Sequence, residues 1–349
     1  MNRREFMKLS AAAAGAIAGE AVLHANFVSA AKSSAVSKAV ADSAVKSMFF
    51  KVTYTTKIIN PSKGDENVSI WIPLPQSDEE QDITSLSVSS PHAFSIHEEP
   101  YYGNRIIYTG RKVFRKGDNI TVSYSIRRKA AGVVTYKDDD VGKHLVLTDR
   151  EKWDENITAF VDKLLGEEKD PLETGRKIFY ALADFLTYDK EIPGCGEGRS
   201  IWTFQGRRGR CDDFHALFRT MMIYKGIPTR WEQGIALPYP SVITKSGKFE
   251  GDCTGAHCWV RFHTGDGNWI PVDVSEAHKR KDMRDYFFGT LSPNRFKVST
   301  GRDIVLKPAQ AESPLNSFPY AYAESDGVPL IYGHNYRNII RYELMKTEV

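Results

Sequence analysis

Cysteine is scarce in this chain. Four in 349 residues are too few for a disulfide scaffold, so each must be explained by its own surroundings. A surplus of one charge is also missing. Lysine and arginine number 47 against 44 aspartates and glutamates, a net +3 that gives no electrostatic footprint for nucleic acid. Long apolar runs are lacking at the amino terminus, where Leu9 to Gly19 offers 11 apolar or small residues against the roughly 20 of a membrane-spanning helix. No stable membrane anchor is therefore expected. What remains is 41% hydrophobic, 11% aromatic and 26% charged, a composition that excludes disorder and fibrous repeats, and the length favours two domains.

The first 30 residues read as an export signal. Arg3-Arg4-Glu5-Phe6-Met7-Lys8 precedes a mildly hydrophobic Ala/Gly stretch, which resembles a bacterial twin-arginine signal. Val28-Ser29-Ala30 and Leu23-His24-Ala25 both suit a small-residue peptidase, and no cysteine lies beside either cut to carry a lipid. A periplasmic or secreted product follows. Residues 31–47, rich in Ser, Ala, Val and Lys, read as a linker because their apolar side chains are too small to form a packing stripe.

From Phe49 the hydrophobic period becomes two. Val52 and Tyr54 alternate with Thr53 and Thr55, and Ile120, Val122, Tyr124 and Ile126 alternate with Thr121, Ser123 and Ser125. Turns at Lys63-Gly64-Asp65, Gly103-Asn104 and Lys116-Gly117-Asp118 separate short strands, predicting an antiparallel β-sandwich over residues 48–135. Asp138-Asp139-Asp140 lacks calcium-loop spacing and reads as a solvated turn. Helices follow. One is expected over Asp154 to Leu165, and another after Asp170-Pro171-Leu172-Glu173, with Asp170 as cap, Pro171 in the first turn and Glu173 reaching back.

The chemistry begins where Gly206-Arg207-Arg208-Gly209-Arg210 opens into Cys211-Asp212-Asp213-Phe214, followed by Leu217, Phe218 and Met221 at helical spacing. Cys211 thus starts a helix, where free N–H groups and the positive dipole end favour thiolate. Asp212 and Asp213 oppose that, so a cationic partner is needed. A nucleophile and a small buried hydrophobe both remain open readings for Cys211 from this segment. Downstream, Ala256-His257-Cys258-Trp259-Val260 alternates as a strand, and Gly265-Asp266-Gly267 turns into Trp269-Ile270-Pro271-Val272-Asp273. By parity His257 and Trp259 share one strand face, and Trp269, Pro271 and Asp273 share another. If the hairpin brings those faces together, Asp273 holds one imidazole nitrogen of His257 while the other faces Cys211.

Gly209-Arg210-Cys211-Asp212, the Gly226-Ile227-Pro228-Thr229-Arg230 helix end, His257-Cys258-Trp259-Val260 and Trp269-Ile270-Pro271-Val272-Asp273 together resemble the transglutaminase-like superfamily of papain-type cysteine enzymes, in its bacterial exported form. The resemblance covers about Tyr180 to His278. It implies an α+β fold, with a transglutaminase-like (papain-type) catalytic domain over 150–349 whose C-terminal segment wraps it, beside the N-terminal antiparallel β-sandwich. It also implies that Cys211 is the acyl-accepting nucleophile, His257 the base then acid, and Asp273 the residue orienting it. The expected function is hydrolysis of peptide or isopeptide amides through a thioester. Alternatives are glutamine–amine acyl transfer and, if the triad is unused, a periplasmic binding or scaffold module. The expected partner is a protein or peptide, including cell-envelope peptides, and no cofactor is expected.

Around this triad, Gln205 or Trp202 can complete the oxyanion site or its wall, and Trp259 and Trp269 can flank the His-Asp pair and exclude water. Cys195 and Cys253 lie in Gly-rich loops and can pair in an oxidising compartment. Cys258, following His257, is expected to point to the opposite face into the core as an inert thiol. His215 is expected to be a packed helix histidine. A zinc set of Cys211, His215, Cys253 and Cys258 lacks the spacing of metal sites, and no metal is expected.

Overall fold

The computed structural model describes residues 36–61, 67–136, 140–251 and 253–349. The signal segment, the Lys63-Gly64-Asp65 turn and Asp138-Asp139 lie outside them. In chain order come helix α1 (36–43), then strands β1 (Ser47–Ile58), β2 (Val68–Leu74), β3 (Gln81–Ser89), β4 (Ser95–Glu98), β5 (Arg105–Lys112) and β6 (Asn119–Lys129). The helical region carries α2 (Glu155–Leu165), α3 (Pro171–Phe185), β7 (Thr187–Tyr188), α4 (Ser200–Gly206), β8 (Arg208–Gly209) and α5 (Cys211–Tyr224). Next are β9 (Thr229–Ala236), β10 (Ser246–Glu250), β11 (Ala256–His263), β12 (Trp269–Val272), α6 (Val274–Lys279), β13 (Arg295–Thr300), β14 (Tyr322–Ser325), β15 (Val328–Pro329) and β16 (Tyr336–Glu348).

The alternation read in β1 and β6 is an inside–outside pattern. Phe50, Val52, Tyr54, Ile120, Val122, Tyr124 and Ile126 are buried, and Val52 pairs with Tyr124 and Tyr54 with Val122 across an antiparallel ladder. These strands belong to a sheet ordered β10-β16-β1-β6-β3, which packs on a second, ordered β15-β14-β2-β5-β4. The sandwich is thus not built from residues 48–135 alone. β16, expected in a segment wrapping the catalytic region, instead runs the length of β1 from Ser47↔Glu348 to Ile58↔Tyr336 and supplies its other hydrogen-bonding edge. A central strand needs partners on both sides, and here one comes from nearly 300 residues away in sequence.

A third, antiparallel sheet ordered β12-β11-β9-β13 lies at the heart of the molecule. One face receives the helices through Phe179, Leu182, Phe214, Leu217, Phe218, Cys258, Val260 and Phe262. Toward the sandwich, Ile235, Phe296 and Val298 join the same apolar cluster as Val52 and Tyr124. Buried charge also ties the sandwich to this sheet: Arg261 donates to Glu80 at 2.5 Å and to Glu232 at 3.1 Å. The result is an α+β fold in which helices and a sandwich share one central sheet.

Helix starts follow their caps. Asp154 accepts from the N–H groups of Asn156 and Ile157 to start α2, and Asp170 accepts from Glu173 N at 3.0 Å to start α3. Glu173 does not reach back as expected. Its carboxylate accepts instead from Arg176 one turn on, at 3.1 Å. Within the expected linker, α1 is anchored by Asp42, which is fully buried and accepts from Ser241 N at 2.8 Å and Arg280 Nη1 at 3.0 Å. A small-residue segment therefore packs through a polar anchor, which an apolar-stripe criterion does not detect.

Candidate active site

Cys211 is the first residue of α5, a helix whose entry is held by Asp213. That carboxylate accepts from Arg210 N at 2.9 Å, Gly198 N at 2.9 Å and Glu197 N at 3.1 Å, drawing the 195–198 loop against the helix start. Glycine is required at two points of this contact. A Cβ on Gly209 would sit 2.4 Å from Asp213 Cβ, and one on Gly196, at φ +92°, would sit 2.2 Å from Asp213 Oδ2. The same loop places the Cys195 carbonyl 4.0 Å from Cys211 Sγ, and a disulfide to Cys253, with Cα atoms 5.7 Å apart, joins it to the segment preceding β11.

His257 is buried on β11, close enough to Cys211 for each to shift the other's proton affinity. Its Nε2 lies 2.6 Å from Asp273 Oδ2. Asp273 ends β12 and caps α6: Oδ1 accepts from Glu276 N at 2.9 Å and Ser275 Oγ at 3.0 Å, while Oδ2 also accepts from Arg295 Nη1 at 2.6 Å. The hairpin parity thus brings His257 and Asp273 together, and α5 brings Cys211 to them.

The charges follow from this packing. Burial alone would lower His257, but the Asp273 carboxylate and the hydrogen bonds to Asp273 and Cys211 raise it to about 9. The Cys258 thiol and then His257, both hydrogen-bonding to Cys211, hold its thiol well below the ordinary value against the opposing effect of burial. Asp273 stays well below the usual carboxylate range: burial pushes it up, but His257 and Arg295 outweigh that. Asp212 is pushed up to about 8, by burial first and then by Cys211. The arrangement can hold a thiolate beside an imidazolium, the state in which sulfur attacks and nitrogen delivers a proton.

Several sequence-nominated residues lie elsewhere. Gln205 is exposed on α4, where its side chain hydrogen-bonds Asp154. Trp202 is 43% exposed under the Arg208 guanidinium, 6.0 Å from its ring centre. It lines a cavity of about 590 Å³ with Asp189, Ile192, Pro193, Glu197 and Arg208. Trp259 does adjoin His257, with ring centres 6.1 Å apart, and donates to Glu232 at 2.6 Å. Trp269 does not. The register places it opposite His263, six residues along β11 from His257, where it packs on His144 with ring centres 5.1 Å apart.

Cys258 is not isolated in the core. Its Sγ approaches His215 Nδ1 at 3.5 Å, and Cys211 Sγ, Cys258 Sγ and an Asp212 carboxylate oxygen all lie within 4.8 Å of one another. Strand alternation separates it from His257, but the start of α5 sits close enough to meet both. His215 is a buried packed histidine: Nδ1 donates to the Cys211 carbonyl at 2.8 Å, and Nε2 accepts from Val274 N at 3.1 Å. Arg295 and Tyr188 carried no sequence signal. Arg295 lies over the Trp259 ring at 5.2 Å, and Tyr188 is close enough for the Cys211 thiolate, after burial, to raise its phenol.

Comparison with known proteins agrees with this architecture at the level of fold. Residues 158–274 match the model of the Transglutaminase-like superfamily. An uncharacterized protein of Haemophilus influenzae is 27% identical over 324 residues, covering 80% of this chain and 87% of its own. The structure of a proposed cysteine protease from Cytophaga hutchinsonii superposes with a TM-score of 0.50 at 17% identity, covering 86% of this chain and 98% of that one. The periplasmic domain of TgpA from Pseudomonas aeruginosa aligns with a TM-score of 0.35 at 12% identity, over 71% of this chain and 95% of its own. Residues 158–274 of this chain thus resemble the Transglutaminase-like superfamily domain, and the chain shares the fold of the Cytophaga hutchinsonii structure.

Proposed function

We propose that the protein is an exported cysteine-dependent acyl-transfer enzyme that hydrolyses peptide or isopeptide amides. The observation that carries this reading is the convergence of Cys211, His257 and Asp273, with the imidazole between thiol and carboxylate. Cys211 thiolate attacks the amide carbonyl carbon. His257 then gives its proton to the departing amine, leaving a thioester on Cys211. Water, deprotonated by His257, cleaves the thioester and returns the thiolate. Asp273 keeps Nε2 occupied so that the other nitrogen serves sulfur, and the N–H of Cys211 at the helix start is a donor for the oxyanion. The cavity that Glu197 and Trp202 line is the hollow assigned to the chain of a peptide substrate, including one from the cell envelope.

Export rests on the twin-arginine pattern of residues 1–30, and a Cys195–Cys253 disulfide suits an oxidising compartment. No described helix is long and apolar enough to cross a membrane.

The test is incubation of the purified protein with casein, with and without a fluorescent primary amine, followed by mass spectrometry of substrate and of Cys211. New peptide ends or released ammonia, with a trapped acyl group on Cys211 and no reaction in Cys211→Ala, are expected. Incorporation of the amine in preference to hydrolysis would move the assignment to transglutaminase. Unchanged biological function in Cys211→Ala would move it to a binding module.

A further inference from the structure

The four cysteines of this chain fall into two pairs. Cys195 and Cys253 are bridged, and the two free thiols, Cys211 and Cys258, meet in one buried cluster with the Asp212 carboxylate. We infer that Cys211, Asp212 and Cys258 form a binding site for a thiophilic divalent cation, zinc, which occupies the nucleophile when bound.

The donor atoms all lie within 4.8 Å of one another. Tetrahedral zinc, with bonds of about 2.3 Å to sulfur and about 2.0–2.2 Å to oxygen, holds its ligands somewhat closer, so side-chain rotations of under about 1 Å per atom complete the set. Two sulfurs select zinc over magnesium or calcium. The fourth position is left to water, as in zinc sites with three protein ligands. This set differs from the one that the residue types suggested. Cys253 is consumed by the disulfide, and both nitrogens of His215 serve the backbone around Cys211 and Val274. Asp212 joins the two free thiols instead. On binding, zinc replaces the protons on its ligand atoms, which pass to solvent, and no electron transfer is involved.

Cobalt(II) is the spectroscopic probe, added to the full chain with its disulfide intact. A thiolate-to-cobalt charge-transfer band saturating at one equivalent is expected, and it falls by about half in Cys258→Ala, where one sulfur is gone. Zinc at about ten times its dissociation constant is expected to slow alkylation of wild-type Cys211 roughly tenfold. Absence of the band, a band unchanged in Cys258→Ala, or alkylation indifferent to zinc overturns the site, and two of these readouts use only the wild-type protein. A band without any amide turnover leaves the metal site standing and removes only the enzymatic reading. Turnover unaffected by zinc, with no band, does the reverse.

Discussion

Arg295 places Nη1 2.6 Å from Oδ2 of Asp273, the same oxygen that receives Nε2 of His257. The fully buried carboxylate therefore serves two cations, and it cannot be altered without stranding one of them.

Asp273→Asn leaves the Arg295 guanidinium buried without its counter-charge. Loss of one partner of a buried pair costs about 3–5 kcal/mol, and urea denaturation should register a drop of that size. Arg295→Met should instead shift the pH profile. Because Arg295 opposes the proton on His257, its removal moves the alkaline limb of activity upward from near pH 9. An alkaline limb unmoved by that change would contradict the electrostatic link.

The pH dependence has a definite sign. With Cys211 held down and His257 raised to about 9, the thiolate–imidazolium form persists through neutrality and is lost as pH rises through about 9 or falls through the thiol's depressed value. His257 binds its proton more tightly in the folded chain than at its ordinary 6.5, so its contribution to stability is complete below pH 6.5 and disappears toward pH 9. Stopped-flow alkylation and thermal melts across this range measure the two effects separately.

His257→Ala should move Cys211 alkylation upward toward the ordinary thiol region near pH 8.5, with the Cys258 thiol still holding part of the shift, and reduce amide turnover by about 10²–10⁴-fold. Peptide mapping after brief iodoacetamide labelling identifies the residue that reacts. Labelling at pH 6 as fast as in the wild type would exclude His257 as a source of activation.

Cys195–Cys253 closes a loop of 58 residues, worth about 4 kcal/mol in a chain-entropy model. Reduction should lower Tm, and it should also slow Cys211 chemistry, because the bridged loop carries the carbonyl that faces Sγ. A Cys253→Ser variant melting like wild type would contradict the first expectation.

Asp42→Ala removes a buried acceptor shared by Ser241 and Arg280, with an expected cost of about 1–3 kcal/mol. Faster proteolysis near residues 36–47 would show α1 detaching. An unchanged cleavage pattern would show that the anchor is dispensable.

Local order in this molecule was legible from local patterns. The period of two in β1 and β6, the aspartates opening α2 and α3, and the helix start at Cys211 each depend on neighbours a few residues away. Parity placed His257 and Asp273 on faces that can meet because the hairpin between them is short. It failed for Trp269, where the same parity fits several registers and only the observed pairing with His263 selects one.

The sequence by itself determined the alternation, the caps and the residue types that can support thiol chemistry, since these are properties of short segments. Tertiary structure alone decided that β16 closes the sandwich, that Arg295 joins Asp273, and that Cys258 meets Cys211 and Asp212. Those contacts span between 22 and 301 residues for Arg295–Asp273 and Ser47–Glu348. Their cause is the packing of α5 and β13 on one shared sheet, where separate faces and distant strands become neighbours only after the core closes.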